Sequence, residues 1–247
     1  MKYFNGLHRS PGPNLFLYLW CPSLNNCMAL DLTNYYQTLG FTSAWEENRA
    51  FANWLVKRKN PFLTLELGVD YGYSLFALSE DNNGHVFGVD LFMGDEHAGA
   101  RDWTAQYKAV VDFVNENKLY RTHVIRGDFA EVAAGWNAGI DILHIDGLHT
   151  YDAVKADWNN WAPKLNEKAV VLFHDTSSFE GPRQLIEEIK ANIPDISVGA
   201  FMNAAGLGVV TFDRDLFQEI LDNFDNFAAL ELVPSTGVEP AEPSPSN

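Results

Sequence analysis

The fold is decided by the stretch FLTLELGVDYGYS, residues 62–74. Its first half, Phe62–Leu67, is a short apolar run of the kind that forms a buried strand. Gly68 and Gly72 follow it directly and precede a second apolar segment. Glycines at such a strand-to-helix turn let the backbone approach a ligand closely. The GxGxxG spacing of a dinucleotide site is absent, so this turn alone also fits a plain tight turn.

Beyond this turn, short apolar runs alternate with helical stretches, which is typical of strand-helix units that build a mostly parallel sheet. The predicted fold class is therefore α/β. Strands are predicted at 62–67, 86–90, 122–125, 140–145, 169–173, 196–200 and 208–212. Helices are predicted at 32–39, 45–59, 74–79, 102–117, 131–136, 151–165, 182–192 and 213–225.

Three segments are predicted along the chain. Residues 1–60 are rich in aromatic residues and lack clean periodicity over most of their length, which indicates an N-terminal cap or lid. Residues 61–231 carry the strand-helix pattern and form the predicted catalytic domain. Residues 232–247 are rich in Pro, Ser and Glu, a composition typical of a disordered tail.

Composition excludes several classes of protein. The chain has 247 residues, of which 47% are hydrophobic and 20% charged, as in a globular protein. Its formal net charge of −16 would repel nucleic acid, and no basic patch opposes that charge. The densest basic run, residues 57–59, lies at the end of a predicted helix, where cations are commonly found.

The N-terminal region and the cysteines bear on location. The apolar run Leu15–Cys21 is too short to span a membrane, and the Pro-Gly-Pro stretch before it does not resemble a signal peptide. Cys21 and Cys27 are too few for a disulfide framework or a metal knuckle. A cytoplasmic protein is the expectation, and a homo-oligomer is left open.

Polar residues follow the next two predicted strands. Asp90 ends the second strand, about 20 residues after the glycine turn, where related folds place an acceptor for ribose hydroxyls. Gly127 and Asp128 follow the third strand, where an acid can reach an adenine or line the cleft. These positions predict a ligand crevice at the carboxyl edge of the sheet, although each acid also suits a helix cap.

The fourth and fifth strands end in acids and histidines. Alternation puts His144 and Asp146 on one face of the fourth strand, and His149 follows at its end. The fifth strand ends in His174 and Asp175. Two adjacent strand ends of this composition indicate a divalent metal site, a general base, or both.

These motifs resemble class I S-adenosylmethionine-dependent methyltransferases. The segment Ile145–Tyr151, with His174-Asp175, resembles the IDGxHxY…HD signature of a small-molecule and glycan O-methyltransferase branch, the methyltransferase 24-like family. Residues 94–99 are similar to a loop in members associated with glycan systems. The resemblance spans about 61–212 and implies a Rossmann-like sandwich with a mostly parallel seven-stranded sheet and an antiparallel last strand.

The resemblance also implies site residues. The methionine part of S-adenosylmethionine would be surrounded by Glu66, Gly68, Gly72 and Ser74. Asp90 would hold the ribose hydroxyls, and Gly127, Asp128 and Phe129 would border the adenine. Asp146, His174 and Asp175 stand where related members bind magnesium. His174 departs from the acid or amide found there, which leaves open magnesium on the two acids alone, another divalent ion, or no metal.

The predicted reaction is O-methylation of a hydroxyl on a sugar, glycan or other small molecule. His149, whose ordinary pKa of about 6.5 suits a base near neutral pH, and Asp146 are the predicted catalytic residues. Two other classes stay open. One is a non-haem iron oxygenase that uses His144, Asp146 and His174, and the other is a non-catalytic binding protein on the same fold.

Overall fold

A computed structural model of the chain describes residues 29–40, 42–94, 102–203 and 205–230. Several sequence predictions fall outside these ranges. They concern the first 28 residues, with both cysteines and most of the early aromatic residues, the loop at 95–99, and the Pro-rich tail.

The described residues form eight helices and eight strands. The helices are α1 (Leu32–Leu39), α2 (Arg49–Lys59), α3 (Tyr73–Ser79), α4 (Trp103–Glu116), α5 (Phe129–Gly135), α6 (Tyr151–Trp161), α7 (Glu180–Asn192) and α8 (Arg214–Asn223). The strands are β1 (Leu63–Leu67), β2 (His85–Asp90), β3 (Thr122–Arg126), β4 (Ile140–Ile145), β5 (Leu165–His174), β6 (Ser197–Phe201), β7 (Leu207–Thr211) and β8 (Phe227–Ala229). Short 3₁₀ turns cover Glu46–Asn48 and Ala162–Lys164.

The strands form one sheet in the order β3-β2-β1-β4-β5-β7-β6-β8. Neighbours from β3 to β5 are parallel, whereas β7 runs antiparallel to both β5 and β6. The strand order reverses between β1 and β4, and ligands of open α/β sheets bind at the carboxyl ends of strands at such a point. The predicted α/β class, with its reversed seventh strand, is confirmed.

The eighth strand was not predicted. Phe227–Ala229 is only three residues long and carries no alternation from which a strand could be predicted. It forms because Ala229 pairs with Gly199 and Phe227 pairs with Phe201 on β6. Gly199 leaves the room for this pairing, since a Cβ there would lie 2.4 Å from the Phe227 ring.

Helices cover both faces of the sheet and bury two apolar cores. One core lies under α1, α2, α3, α4 and α8, and the other lies under α5, α6 and α7. Strand alternation decides which side chain enters which core: Leu65 and Leu67 of β1 point to the second, whereas Glu66 lies on the opposite face. None of the helices in the described residues is both long and apolar enough to cross a bilayer.

A buried ion pair attaches the N-terminal segment to the rest of the fold. The carboxylate of Glu80 accepts hydrogen bonds from the Leu30 backbone N–H at 2.8 Å, from Arg49 Nε at 2.8 Å and from Asn53 at 3.1 Å. Arg49 also donates to the Leu30 carbonyl at 2.6 Å. Since Glu80 is 6% exposed, its charge depends on these donors rather than on water.

The change Glu80→Ala is expected to lower the free energy of unfolding by about 3 kcal/mol. Removal of one partner leaves the other charge of a buried pair without a counter-ion, which costs about 3–5 kcal/mol. The lower end of this range is expected here because the Arg49 side chain keeps 23% exposure. Urea unfolding measures the change. The control is Glu219→Ala, which breaks the exposed Arg58–Glu219 pair and should cost less than about 1 kcal/mol. Equal costs for the two variants would contradict the account.

Two histidines meet at the amino-terminal end of the sheet, away from the crevice. His85 Nδ1 on β2 lies 3.1 Å from His123 Nε2 on β3, and both rings pack near Phe87. Burial, and the neighbouring imidazole of His85, lower the pKa of His123 to about 4. Burial and the charge of Arg121 also lower the pKa of His85.

This histidine pair predicts a loss of stability in acid. The unfolded chain takes up the His123 proton near pH 6.5 and the folded chain only near pH 4, so the contribution of His123 to stability is full above pH 6.5 and falls as the pH drops toward 4. The comparison of wild type with His123→Gln isolates this contribution, which we expect to reach about 1–2 kcal/mol by pH 5. Unfolding free energies that run parallel between pH 7.5 and 5 would show that the pair does not titrate.

Candidate active site

A cavity of about 520 Å³ opens at the carboxyl ends of β1, β2, β4 and β5. Among the described residues that line it are five aspartates (Asp70, Asp90, Asp128, Asp146, Asp175), two histidines (His149, His174) and six aromatic residues (Tyr36, Trp45, Tyr73, Trp103, Phe129, Phe179). These lining residues include no Lys or Arg. The wall is therefore acidic and aromatic, and its size suits a small-molecule ligand.

The glycine turn brings β1 and β4 together at the cavity floor. Gly68 has φ +89°, and a Cβ there would lie 2.0 Å from the backbone oxygen of Asp146. The Asp146 N–H in turn donates to the Leu67 carbonyl at 2.8 Å. Only glycine permits this approach. It places Asp146, the acid of the IDG motif, directly beside the turn.

Asp90 holds the shape of the same turn. Its Oδ2 accepts hydrogen bonds from the N–H groups of Val69 at 2.8 Å and Asp70 at 3.1 Å, and its Oδ1 accepts from Phe92 at 2.6 Å. Asp90 also lines the cavity. It thus joins β2 to the turn and presents a carboxylate at the place where the sequence predicts a ribose.

A buried layer lies behind the turn. Glu66 is fully buried, accepts a hydrogen bond from Ser74 Oγ, and pairs with His144 Nδ1 at 2.8 Å. Burial raises the pKa of the Glu66 carboxyl, against the opposing effect of His144. Ser74 lines the cavity, whereas Glu66 supports the turn from beneath.

The third strand end both caps a helix and lines the cavity. Asp128 Oδ1 accepts hydrogen bonds from the N–H groups of Ala130 at 2.9 Å and Glu131 at 3.0 Å, so it is the N-cap of α5. The Phe129 ring packs where a Cβ on Gly147 would lie, at 2.8 Å. Gly127 donates its N–H to the Asp90 carbonyl at 3.0 Å, which links β3 to β2.

Three of the predicted residues converge at the ends of β4 and β5. His149 Nε2 lies 2.8 Å from Asp175 Oδ2 and 3.6 Å from Asp146 Oδ1. One ligand atom of each of these three residues lies within 4.8 Å of the others. Two carboxylate oxygens and an imidazole nitrogen at this spacing form a donor set that fits a divalent ion such as Mn²⁺.

His174, predicted as a metal ligand, takes a different position. Its Nδ1 lies 3.2 Å from Asp146 Oδ1 and 3.3 Å from Asp175 Oδ2, so it is a partner of the two acids. It is 5% exposed and packs near Trp45, with ring centroids 6.0 Å apart. In the described residues the converging set is completed by His149 instead.

The iron site of the oxygenase alternative does not form among the described residues. His144 is fully buried and its Nδ1 is paired with Glu66, while His174 Nδ1 faces the acids. These two imidazoles therefore do not converge with Asp146 into a group of possible metal ligands. The sequence pattern was misleading because alternation puts residues on one face of a strand without bringing their donor atoms together.

The pKa of His149 in the folded chain departs from its ordinary value of about 6.5. Burial alone would lower it, but the hydrogen bonds and charges of Asp146 and Asp175 raise the pKa of His149 to about 9. Burial opposes the same effect in His174, whose pKa rises to about 10. Burial alone would raise the pKa of Asp146, yet the charge of His174 and the hydrogen bonds of both histidines hold it well below its usual range.

Several cavity residues were missed by sequence reasoning. Tyr36, Ser43 and Trp45 come from the cap segment, and Gln106 and Phe179 come from α4 and the loop before α7. The aromatic content of the cap was the one available signal. The positions themselves depend on tertiary packing, for example that of Trp45 edge-on against His144 at 4.9 Å.

Known proteins match the part of the chain that contains the strands around this cavity. Residues 65–176 match a family model described as "Methyltransferase domain", which spans β1 to the HD motif. The chain is also 34% identical over 183 residues to the uncharacterized protein y4gI of Sinorhizobium fredii. That match covers 70% of this chain and 20% of y4gI, so the chain spans about a fifth of the length of this relative.

Solved structures share the fold. A methyltransferase from Geobacter sulfurreducens superposes with a TM-score of 0.57 at 16% identity, and it covers 80% of this chain and 94% of its own. An O-methyltransferase from Bacillus cereus, solved in complex with SAH, superposes with a TM-score of 0.57 at 15% identity. It covers 80% of this chain and 96% of its own.

Proposed function

We propose, since residues 65–176 match a family model described as a methyltransferase domain, that this chain transfers the methyl group of S-adenosylmethionine to a hydroxyl oxygen of a small molecule. One observation carries this proposal. The Asp146–His149–Asp175 cluster lies in the same cavity as the glycine turn, and Asp146 belongs to both because its backbone packs on Gly68. In this proposal the methyl donor and the deprotonating group lie side by side.

The donor occupies the β1–β3 side of the cavity in this proposal. Gly68 and Ser74 line the cavity at the proposed place of the methionine part, while Gly72 precedes α3 as its N-cap and Glu66 supports Ser74 from behind. Asp90 faces the ribose hydroxyls, and Gly127, Asp128 and Phe129 border the adenine. The Bacillus cereus protein, on the same fold, was solved in complex with SAH, which supports S-adenosylmethionine as the donor. Residues 61–231 are then the catalytic unit and residues 1–60 its cap.

The reaction is an in-line displacement. A lone pair of the acceptor hydroxyl oxygen forms a bond to the sulfonium methyl carbon, and the carbon–sulfur bond breaks with its electrons left on sulfur. The hydroxyl proton passes to His149 Nε2, which Asp146 and Asp175 hold in place. Positioning of the two reactants contributes much of the rate enhancement, since effective molarity can be worth roughly 7–11 kcal/mol.

His149 must be neutral before it can take that proton, and the two acids keep it cationic in the metal-free protein. Asp146 and Asp175 are the residues that would hold a divalent ion beside His149, whose Nε2 lone pair is then left to take the proton. A bound ion would supply positive charge that favours the neutral imidazole and the ionised acceptor oxygen. His174 stays beside the acids and keeps both carboxylates ionised.

A sugar or other uncharged hydroxyl compound is the acceptor class that the cavity wall favours. Its described lining residues offer five carboxylates and no Lys or Arg to a phosphate or a CoA group. Six aromatic rings provide the apolar faces on which sugar rings pack. Trp45 and Phe179 stand on the β4–β5 side, next to the proposed base.

The experiment that tests the function measures SAH formation from S-adenosylmethionine with Mn²⁺ present. Acceptors are a panel of neutral glycosides and a matched panel of their phosphates. We expect turnover with at least one neutral glycoside and none with its phosphate. Binding of S-adenosylmethionine without turnover on any hydroxyl compound would favour a binding protein, and turnover confined to the phosphates would refute the acceptor class.

A further inference from the structure

We infer that Asp70, held by Gln106, makes the donor site prefer S-adenosylmethionine, whose sulfur is positively charged, over the product SAH, whose sulfur is uncharged. The inference rests on the proposed function in taking S-adenosylmethionine as the donor. Asp70 lies in the turn between Gly68 and Gly72 and lines the cavity. The two molecules differ by one methyl group and one unit of charge, so a carboxylate beside the methionine part distinguishes them by Coulomb attraction.

The backbone of Asp70 is fixed in a left-handed conformation. Its φ is +48°, a region in which aspartate and asparagine are tolerated better than most other side chains. Its N–H donates to Asp90 Oδ2 at 3.1 Å, next to the bond that Val69 N–H donates to the same oxygen at 2.8 Å. The Gly72 N–H closes the turn on the Val69 carbonyl at 2.7 Å. The Asp70 side chain therefore starts from a fixed point at the cavity.

Gln106 of α4 orients that side chain. Gln106 is 2% exposed, lines the cavity, and donates a hydrogen bond from its Nε2 to Asp70 Oδ1. A buried amide costs free energy unless it is hydrogen-bonded, so this bond favours one rotamer of the exposed Asp70 side chain. The amide is neutral. Gln106 thus positions the carboxylate without cancelling its charge, as a lysine or an arginine at this place would.

The other aspartates of the cavity wall have different kinds of partner. Asp90 accepts three backbone N–H bonds that shape the turn, and Asp128 caps α5. Asp146 and Asp175 face histidine side chains. Among these five acids, Asp70 is the one on the glycine turn whose carboxylate accepts from a neutral side chain. It is therefore the acid through which we expect the turn to act on the charge of the donor.

The charge of Asp70 reaches the cavity wall. Burial, and then the charge of Asp70, raise the pKa of Tyr36, another residue that lines the cavity. The potentials of separate charges add, so removal of the Asp70 charge changes the potential in the cavity whatever else this carboxylate contacts. Methyl transfer removes the positive charge of the donor. The product is then attracted less strongly than the substrate, which favours its release.

The test is calorimetric titration of S-adenosylmethionine and of SAH into wild type and variants whose folding is checked by thermal unfolding. Asp70→Asn keeps the oxygen that accepts from Gln106 and tolerates the same φ, but it removes the charge. Gln106→Met removes the amide and keeps a side chain of similar length. Gln218→Met is the matched control, since Gln218 on α8 donates to Asp222 Oδ1 at 2.9 Å in an exposed pair of the same residue types.

We expect Asp70→Asn to weaken S-adenosylmethionine binding about 5–10-fold, the effect of one charge at a partly exposed site, and to leave SAH affinity within about twofold. Gln106→Met should lower the ratio of the two affinities about two- to threefold and add nothing in the Asp70→Asn background. Gln218→Met should leave both affinities at the wild-type value. Asp70→Asn alone decides the main claim if Gln106→Met does not fold.

An unchanged ratio of the two affinities in Asp70→Asn, or equal losses of both ligands, would overturn the inference. A further change of the ratio when Gln106→Met is added to Asp70→Asn would overturn the role of Gln106. If the folded wild type binds neither ligand, the proposed function is refuted and the inference falls with it. If wild type binds both and Asp70→Asn keeps their ratio, only the inference fails and the donor assignment stands.

Discussion

Replacement of Gly68 by alanine is expected to weaken S-adenosylmethionine binding by about 100-fold or more. A Cβ at φ +89° is strained by roughly 1–3 kcal/mol, and it would also lie 2.0 Å from the Asp146 backbone oxygen. β1 and β4 must then separate at the point where the donor is proposed to bind. Calorimetric titration of the folded variant measures the loss.

The matched control is Gly135→Ala at the end of α5. A Cβ there meets no atom within 4 Å, so S-adenosylmethionine affinity should stay at the wild-type value. If Gly68→Ala bound the donor as tightly as Gly135→Ala, the glycine turn would not border the donor site and the assignment of the β1 side would fail.

Replacement of His149 by alanine is expected to lower the turnover number about 10²–10⁴-fold, the range over which a general base contributes. The affinity for S-adenosylmethionine should not change, because His149 lies at the ends of β4 and β5, beside Asp175. The assay is SAH formation on the neutral acceptor that wild type uses best.

His123→Gln is the control for this prediction. It removes an imidazole from the opposite end of the sheet, next to His85, and should leave turnover unchanged at pH 7.5. A His149→Ala variant as active as His123→Gln would remove His149 from the role of base, and Asp146 would become the group to examine.

The sequence predicted seven of the eight described strands. Several residues that end these short apolar runs line one cavity at the carboxyl edge of the sheet, among them Gly68, Asp90, Asp128, Asp146 and Asp175. β8 escaped prediction because its three residues form a strand only through pairing with β6. A local sequence pattern does not report pairing between strands that lie far apart in the sequence.

Side-chain chemistry was less predictable than position. His149 was placed correctly at the strand end, yet its pKa depends on two acids that come from different strands. His149 lies three residues after Asp146 and His174 lies 28 residues after it, and only the three-dimensional arrangement decides which one completes the donor set. No sequence pattern pointed to Phe179, because its stacking on His149 depends on the turn at Asp175.

The most direct test of the central claim is calorimetric titration of S-adenosylmethionine into the wild-type chain, first in EDTA and then with Mn²⁺. The account predicts one donor site that persists in EDTA, since the donor lies on the glycine-turn side, and a separate Mn²⁺ site that Asp175→Asn weakens. Absence of S-adenosylmethionine binding under both conditions, with the chain folded, would contradict it.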